Sequence, residues 1–117
     1  SFRMNLNELA TEQHYNIPII TLIYDNQVLG MVRQWQNIIY DKHFSETVLD
    51  RGPDFVKLAE SFGLKAKRVT NEKELRETLK EAVDSKVGYV IDCVIDKDEM
   101  VRPMVGAGSD ITDFLIK

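Results

Sequence analysis

The spacing of apolar and polar positions divides this chain into alternating helices and strands. Leu6, Leu9, Ala10 and Gln13 follow an i, i+3, i+4, i+7 stripe, which predicts a helix over 5–15 packed on a sheet. Asn5-Leu6-Asn7-Glu8 reads as its capping box, with Asn5 as the cap and Glu8 reaching back. The apolar run Ile17-Pro18-Ile19-Ile20-Thr21-Leu22-Ile23-Tyr24 is rich in β-branched residues. It predicts a strand over 18–24, buried on both faces of a parallel sheet. Val28, Val32, Trp35 and Ile39, with Met31 and Ile38 beside them, then predict a helix over 29–40 with a wide apolar face. Residues 41–52 lack any period and read as a surface loop.

Pro53 fits the first turn of the next helix, with Phe55, Leu58, Ala59 and Phe62 as its buried stripe and Gly63 as its left-handed stop. Residues 64–70 alternate as a short strand. Asn71-Glu72-Lys73-Glu74 is a second capping box, opening a helix that buries Leu75, Leu79, Ala82 and Val83 and runs to about Ser85. Gly88 precedes a last buried strand over 89–95. The remainder, 96–117, contains Pro103, Gly106 and Gly108 and reads as an irregular arm on an α/β core over 1–95. The order helix, strand, helix, helix, strand, helix, strand predicts a three-layer α/β fold with a mostly parallel sheet. Three short strands make a narrow sheet, and an opening helix that feeds a parallel strand implies an earlier strand before Ser1.

Composition narrows the class. A chain of 117 residues is the size of one domain, 44% hydrophobic and 29% charged, as in ordinary globular proteins. Its net charge of −4 disfavours nucleic acid or an anionic membrane as partner. No apolar stretch approaches the roughly 20 residues of a membrane span. Cys93 is the single cysteine, set in an apolar strand, so it reads as a buried structural thiol. An intracellular, reducing compartment fits, and a cytoplasmic location is the expectation. His14 and His43 have no partner at metal-ligand spacing and read as surface residues.

Candidate chemistry gathers in the turn after the first strand, where open α/β sheets hold ligands. The side-chain oxygen of Asn26 and the carbonyl of Val28 offer oxygen ligands to a hard cation, and the Leu29 and Gly30 amides open a helix where an anion such as a diphosphate is favoured. A plain structural turn is the competing reading of Asp25-Asn26. Met31, Val32 and Trp35 read either as core or as the wall of a pocket beside that turn.

Several blocks carry a family resemblance. These are Ser1-Phe2-Arg3-Met4-Asn5-Leu6-Asn7-Glu8-Leu9-Ala10-Thr11, Asp25-Asn26, Leu29-Gly30-Met31-Val32-Arg33-Gln34-Trp35-Gln36 with Tyr40, Pro53-Asp54-Phe55-Val56-Lys57-Leu58-Ala59-Glu60, and Pro103-Met104-Val105. Together they resemble the large catalytic subunit of acetolactate synthase, a thiamine-diphosphate enzyme, in the C-terminal part of its cofactor-binding domain. The resemblance implies that Asn26 gives a side-chain ligand and Val28 a backbone carbonyl to Mg²⁺. It implies thiamine-diphosphate contacts from Ser1, Leu29, Gly30 and Met31, and a substrate channel lined by Met31, Val32 and Trp35. Asp25 departs from the family's usual Asn-Asn pair, at the position of the first Asn.

The implied reaction condenses pyruvate with a second 2-keto acid, with loss of CO₂, in branched-chain amino-acid biosynthesis. The family's aspartate ligand lies just before Ser1, and its activating glutamate comes from another domain across a dimer interface. This chain alone is therefore expected to be inactive and to hold no catalytic residue. The full-length protein is expected to be a homo-oligomer, with a regulatory subunit as a further partner and FAD as a cofactor another domain would carry. Two other readings stand beside this one. Another thiamine-diphosphate enzyme (an oxidase, decarboxylase or carboligase) would share the turn but not the block around Trp35. A receiver-like signalling domain would use Asp25 as phospho-acceptor, and it lacks the acidic pair such domains need.

Overall fold

The computed structural model describes residues 1–115, and Ile116 and Lys117 lie outside the described residues. Two compact units are present, one formed by 1–25 and 51–95 and the other by 26–50 and 96–117.

The first unit is built on a three-stranded parallel sheet. Its strands are β1 (Ile20–Asp25), β2 (Lys65–Val69) and β3 (Tyr89–Val94), in the order β1-β3-β2. Ile20 and Lys65 both align with Tyr89, so all three strands start level. Helices α1 (Glu8–His14) and α3 (Phe55–Ser61) cover one face, where Leu9, Ile23, Phe55, Ala59, Leu64 and Val90 form a core. Helix α4 (Glu72–Ser85) covers the other, over Val69, Ala82, Tyr89, Ile91 and Cys93. The expected α/β layering with a parallel sheet is present.

Several local expectations change. The first strand is not buried on both faces. Its Tyr24 is 70% exposed and Leu22 is also exposed, because α4 packs over the β2–β3 side of the sheet. Only the central strand β3 is buried on both faces, from Tyr89 to Cys93. The first capping box does not form. Phe2–Asn5 is a 3-10 turn, and α1 starts at Glu8 after Asn7, whose backbone is already helical and whose side chain caps nothing. Pro53 stands one residue before the cap of α3, which is Asp54, accepting from the N–H groups of Val56 and Lys57 at 3.0 and 3.3 Å. Gly63 stops that helix with φ +82°, a conformation that suits glycine.

At α4 the cap is as expected on one side. Asn71 Oδ1 accepts from Glu74 N at 3.0 Å, but Glu74 reaches back to Thr70 N at 2.9 Å, one residue beyond the usual partner. The buried positions of α4 are Thr78 and Ala82, with Leu75 and Leu79 half-buried and Val83 exposed.

The second unit contains α2 (Gly30–Ile38) and two short antiparallel strands, β4 (Met104–Val105) and β5 (Phe114–Leu115), within the arm expected to be irregular. Val28 and Val48 form an isolated antiparallel bridge, a pairing in the 41–52 loop that no period in the sequence announced. No helix among the described residues is long and apolar enough to cross a membrane.

Candidate cofactor-binding turn

The chain leaves β1 at Asp25 and turns at once. Asn26 Oδ1 accepts the Val28 N–H at 3.2 Å, closing an Asx turn over Gln27, which sits at φ +55°. Leu49 N then donates to Gln27 O at 2.7 Å, and Leu29 N to Thr47 O at 2.8 Å. That bonding makes Val28 and Val48 a non-hydrogen-bonded pair, so the pleat turns the backbone groups of Val28 away from 47–49. Val28 is itself buried, as is Thr47. The N–H of Val28 is taken by Asn26, and its carbonyl faces the same side.

Helix α2 begins directly after this turn. Its first i→i−4 bond runs from Arg33 N to Leu29 O, so the N–H groups of Gly30, Met31 and Val32 precede the helical ladder. Leu29 at the cap position has no side-chain cap. A Cβ built on Gly30 would lie 2.8 Å from Asn26 Nδ2, so the Asn26 amide occupies the space that any other residue at 30 would need. Glycine here leaves room for the Asn26 amide, which would have to shift for any larger residue.

The donor set fits magnesium diphosphate in part. Asn26 Oδ1 keeps one lone pair beyond its bond to Val28, and the Val28 carbonyl is a second neutral oxygen, both suited to a hard cation. The amides at the head of α2 suit an anion. Among the described residues no group of three or more His, Cys, Asp or Glu is arranged to hold a metal. Two oxygens alone leave most of an octahedral shell to other ligands.

The rest of α2 corrects an expectation about its faces. The stripe of Met31, Val32, Trp35, Ile38 and Ile39 is exposed, with Trp35 at 43%, and so is Leu29 at the cap. The buried residue of the helix is Gln34, at 4%. Gln34 Nε2 donates to Val101 O at 3.0 Å while Gln34 Oε1 accepts from Val101 N at 2.9 Å. Gln36 likewise pairs with Ser45, through Nε2 to its carbonyl at 3.0 Å. The two glutamines beside Trp35 therefore hold backbone. The sequence offered little to find Gln34, whose partner lies 67 positions away.

Ser1 belongs to the other unit, where its carbonyl accepts from Met4 N at 3.0 Å in the 3-10 turn. Asn26, Val28, Leu29, Gly30, Met31, Val32 and Trp35 are all brought together in one unit by the turn and the first two turns of α2. Cys93 is buried and its thiol is pushed up by that burial, then by Asp92, which suits a structural role. His14 and His43 are both exposed.

Comparison with known families identifies the chain's relatives. The family model described as "Thiamine pyrophosphate enzyme, C-terminal TPP binding domain" matches residues 1–93. The chain belongs to that family of thiamine-pyrophosphate-binding domains. Among individual proteins it is 49% identical over 97% of its length to the probable acetolactate synthase large subunit of Methanocaldococcus jannaschii, covering 19% of that protein. It is 41% identical over 98% of its length to the mitochondrial acetolactate synthase catalytic subunit of Saccharomyces cerevisiae, covering 17% of it. The Escherichia coli acetolactate synthase isozyme 2 large subunit matches at 37% over the whole chain, which spans 21% of that relative. The chain thus spans about a fifth of the length of the curated relatives it matches. A solved structure, the thiamine diphosphate-dependent 4-hydroxybenzoylformate decarboxylase of Rhodococcus jostii RHA1, shares the fold. Its TM-score is 0.73 at 22% identity, over 81% of this chain and 18% of that one.

Proposed function

We propose that these residues are the C-terminal part of the thiamine-diphosphate-binding domain of an acetolactate synthase large subunit. In that reading the intact protein condenses pyruvate with a second 2-keto acid and releases CO₂. The observation that carries it is the turn 26–30, where the bond from Val28 N to Asn26 Oδ1 sets an amide oxygen and a carbonyl beside a helix head. Near-complete coverage of this chain by three acetolactate synthase relatives supports the choice of reaction.

Asn26 Oδ1 and the Val28 carbonyl would hold Mg²⁺, and the amides of Gly30 and Met31 would face the diphosphate; the Leu29 amide expected beside them is instead bound to Thr47 O. Bound there, thiamine diphosphate supplies the electron sink needed to decarboxylate a 2-keto acid and join the remainder to another. The chain's own part is to bind, orient and exclude water. Met31, Val32 and Trp35 form an apolar wall that shields the reacting end and discriminates between second substrates by size. The remaining Mg²⁺ ligands and the group that activates the cofactor come from other segments, so these 117 residues alone do not turn over. Homo-oligomerisation, a regulatory subunit and a flavin held by another domain are further parts of the proposal.

Two measurements test it. The intact protein carrying this sequence should form acetolactate from pyruvate only with thiamine diphosphate and Mg²⁺; release of free aldehyde without acetolactate would favour a decarboxylase instead. Calorimetry on the 117-residue chain should show no micromolar binding of the same pair, and micromolar binding would contradict the half-site reading.

A further inference from the structure

Helix α2 is packed the wrong way round for an ordinary amphipathic helix, which buries its apolar stripe and wets its polar face. Here the stripe Met31, Val32, Trp35 and Ile38 is open, while the polar face is engaged by the segment 98–104. Arg33 Nε donates to Asp98 Oδ1 at 2.7 Å, and its guanidinium also lies 4.0 Å over the Phe44 ring. Asn37 Nδ2 approaches Met100 Sδ at 4.0 Å. Between them Gln34 pairs with Val101 in both directions and also approaches Met104 Sδ at 3.0 Å.

From this we infer that Gln34 is the positioning residue of the site, fixing segment 98–104 on the polar face of α2 so that Met31, Val32 and Trp35 are held open to substrate. The inference rests on the reading above that this stripe is a substrate wall. The carboxamide is the group that can do this. It presents one acceptor and one donor side by side, matching the N–H and C=O of a single residue as a neighbouring strand would. It is also deep enough that water cannot replace either bond, so losing the pair frees the segment rather than merely rehydrating it. Arg33 and Asn37 are flanking supports whose partners are an exposed carboxylate and a thioether, weaker restraints than a buried two-way pair.

The test uses the intact enzyme with Gln34→Met, which keeps length and removes both hydrogen bonds. Amide exchange at Val101 should accelerate at least tenfold. KM for the 2-keto acid should rise about fivefold or more while kcat changes less than twofold, since Gln34 touches no reacting atom. Val101→Pro removes the paired N–H from the other side. It should reproduce the KM rise with α2 unaltered, and so covers the case in which Gln34→Met does not fold. Wild-type exchange at Val101 and wild-type KM in a folded variant would overturn the inference. If the wild-type enzyme makes no acetolactate, the functional reading fails, and Val101 exchange still decides whether Gln34 holds the segment.

Discussion

Arg68 Nε donates to Asp92 Oδ2 at 2.8 Å between directly opposed positions of β2 and β3, while Asp92 Oδ1 is buried with no hydrogen-bond partner. Burial pushes the Asp92 carboxyl up, and Arg68 pulls it back down against the neighbouring charges of Asp25 and Asp54. Replacing Arg68 by Met leaves a carboxylate in the sheet without its cation. Because Arg68 is 45% exposed, the cost at neutral pH should be about 2–3 kcal/mol, below the value for a fully buried pair. The sign with pH follows from the raised carboxyl. Without Arg68 it rises further, so stability is kept below the ordinary value of 3.8 and lost as pH rises through the folded value. Urea midpoints should show a small penalty near about pH 4 and a large one near about pH 8. An equal penalty at both would contradict this account.

Glu12 in α1 makes a separate pH prediction. Its carboxyl is buried beside Gly88, Oε1 has no partner, and burial raises its pKa above the ordinary 4.5. Its neutral form therefore favours the fold below 4.5, and that contribution is lost as pH rises through the folded value. Each unit between the two values is worth about 1.4 kcal/mol. In Glu12→Gln the stability difference from wild type should move in the variant's favour as pH rises from about 4 to 8 and then level off. A difference that stays constant across that range would show that Glu12 is solvated.

What could be read in advance were features decided within a few residues. Gly63 stops a helix and Asn71 caps one through bonds to residues close by, and both are where the spacing put them. The run 89–93 is buried as its composition suggests. The features that were misread depend on what packs from far away. The 18–24 run was apolar enough for a strand covered on both faces, yet α4 lies over β2 and β3, and Tyr24 is open. The α2 stripe reads equally as core or as a pocket wall, because periodicity marks an apolar face without saying what covers it. Gln34 was legible only as a polar neighbour of Trp35, since its partner Val101 belongs to the other end of the chain. Asn26, Val28 and Gly30 stand out as candidates from their place after a strand. That the Asn26 side chain occupies the room beside Gly30 is a finding of the structure alone.

Asn71 gives a graded test of local capping. Its Oδ1 accepts from Glu74 N at 3.0 Å at an exposed helix start. Asn71→Ala should cost about 1 kcal/mol, Asn71→Gly a few tenths, and Asn71→Asp little or nothing. Thermal unfolding of the three variants should fall in that order. Asn71→Ala close to wild type would mean that Glu74, through Thr70, carries the helix start instead.

Gly30→Ala separates the candidate site from the fold. Alanine is a better helix former than glycine, so the backbone of α2 should accept it, with a stability change within about 1 kcal/mol. The added methyl would stand 2.8 Å from Asn26 Nδ2, so the side-chain amide must move. That movement breaks the bond from Val28 N to Asn26 Oδ1 and displaces the side-chain oxygen proposed to face Mg²⁺. In the intact enzyme, Mg²⁺ and thiamine-diphosphate affinity should therefore fall at least tenfold, with the unfolding midpoint almost unchanged. Asn26→Ala should weaken Mg²⁺ binding by a similar factor, and Gly30→Ala added to Asn26→Ala should add little, because both act on one oxygen. Full additivity of the two would mean that Gly30 serves the cofactor through its own amide and not through Asn26.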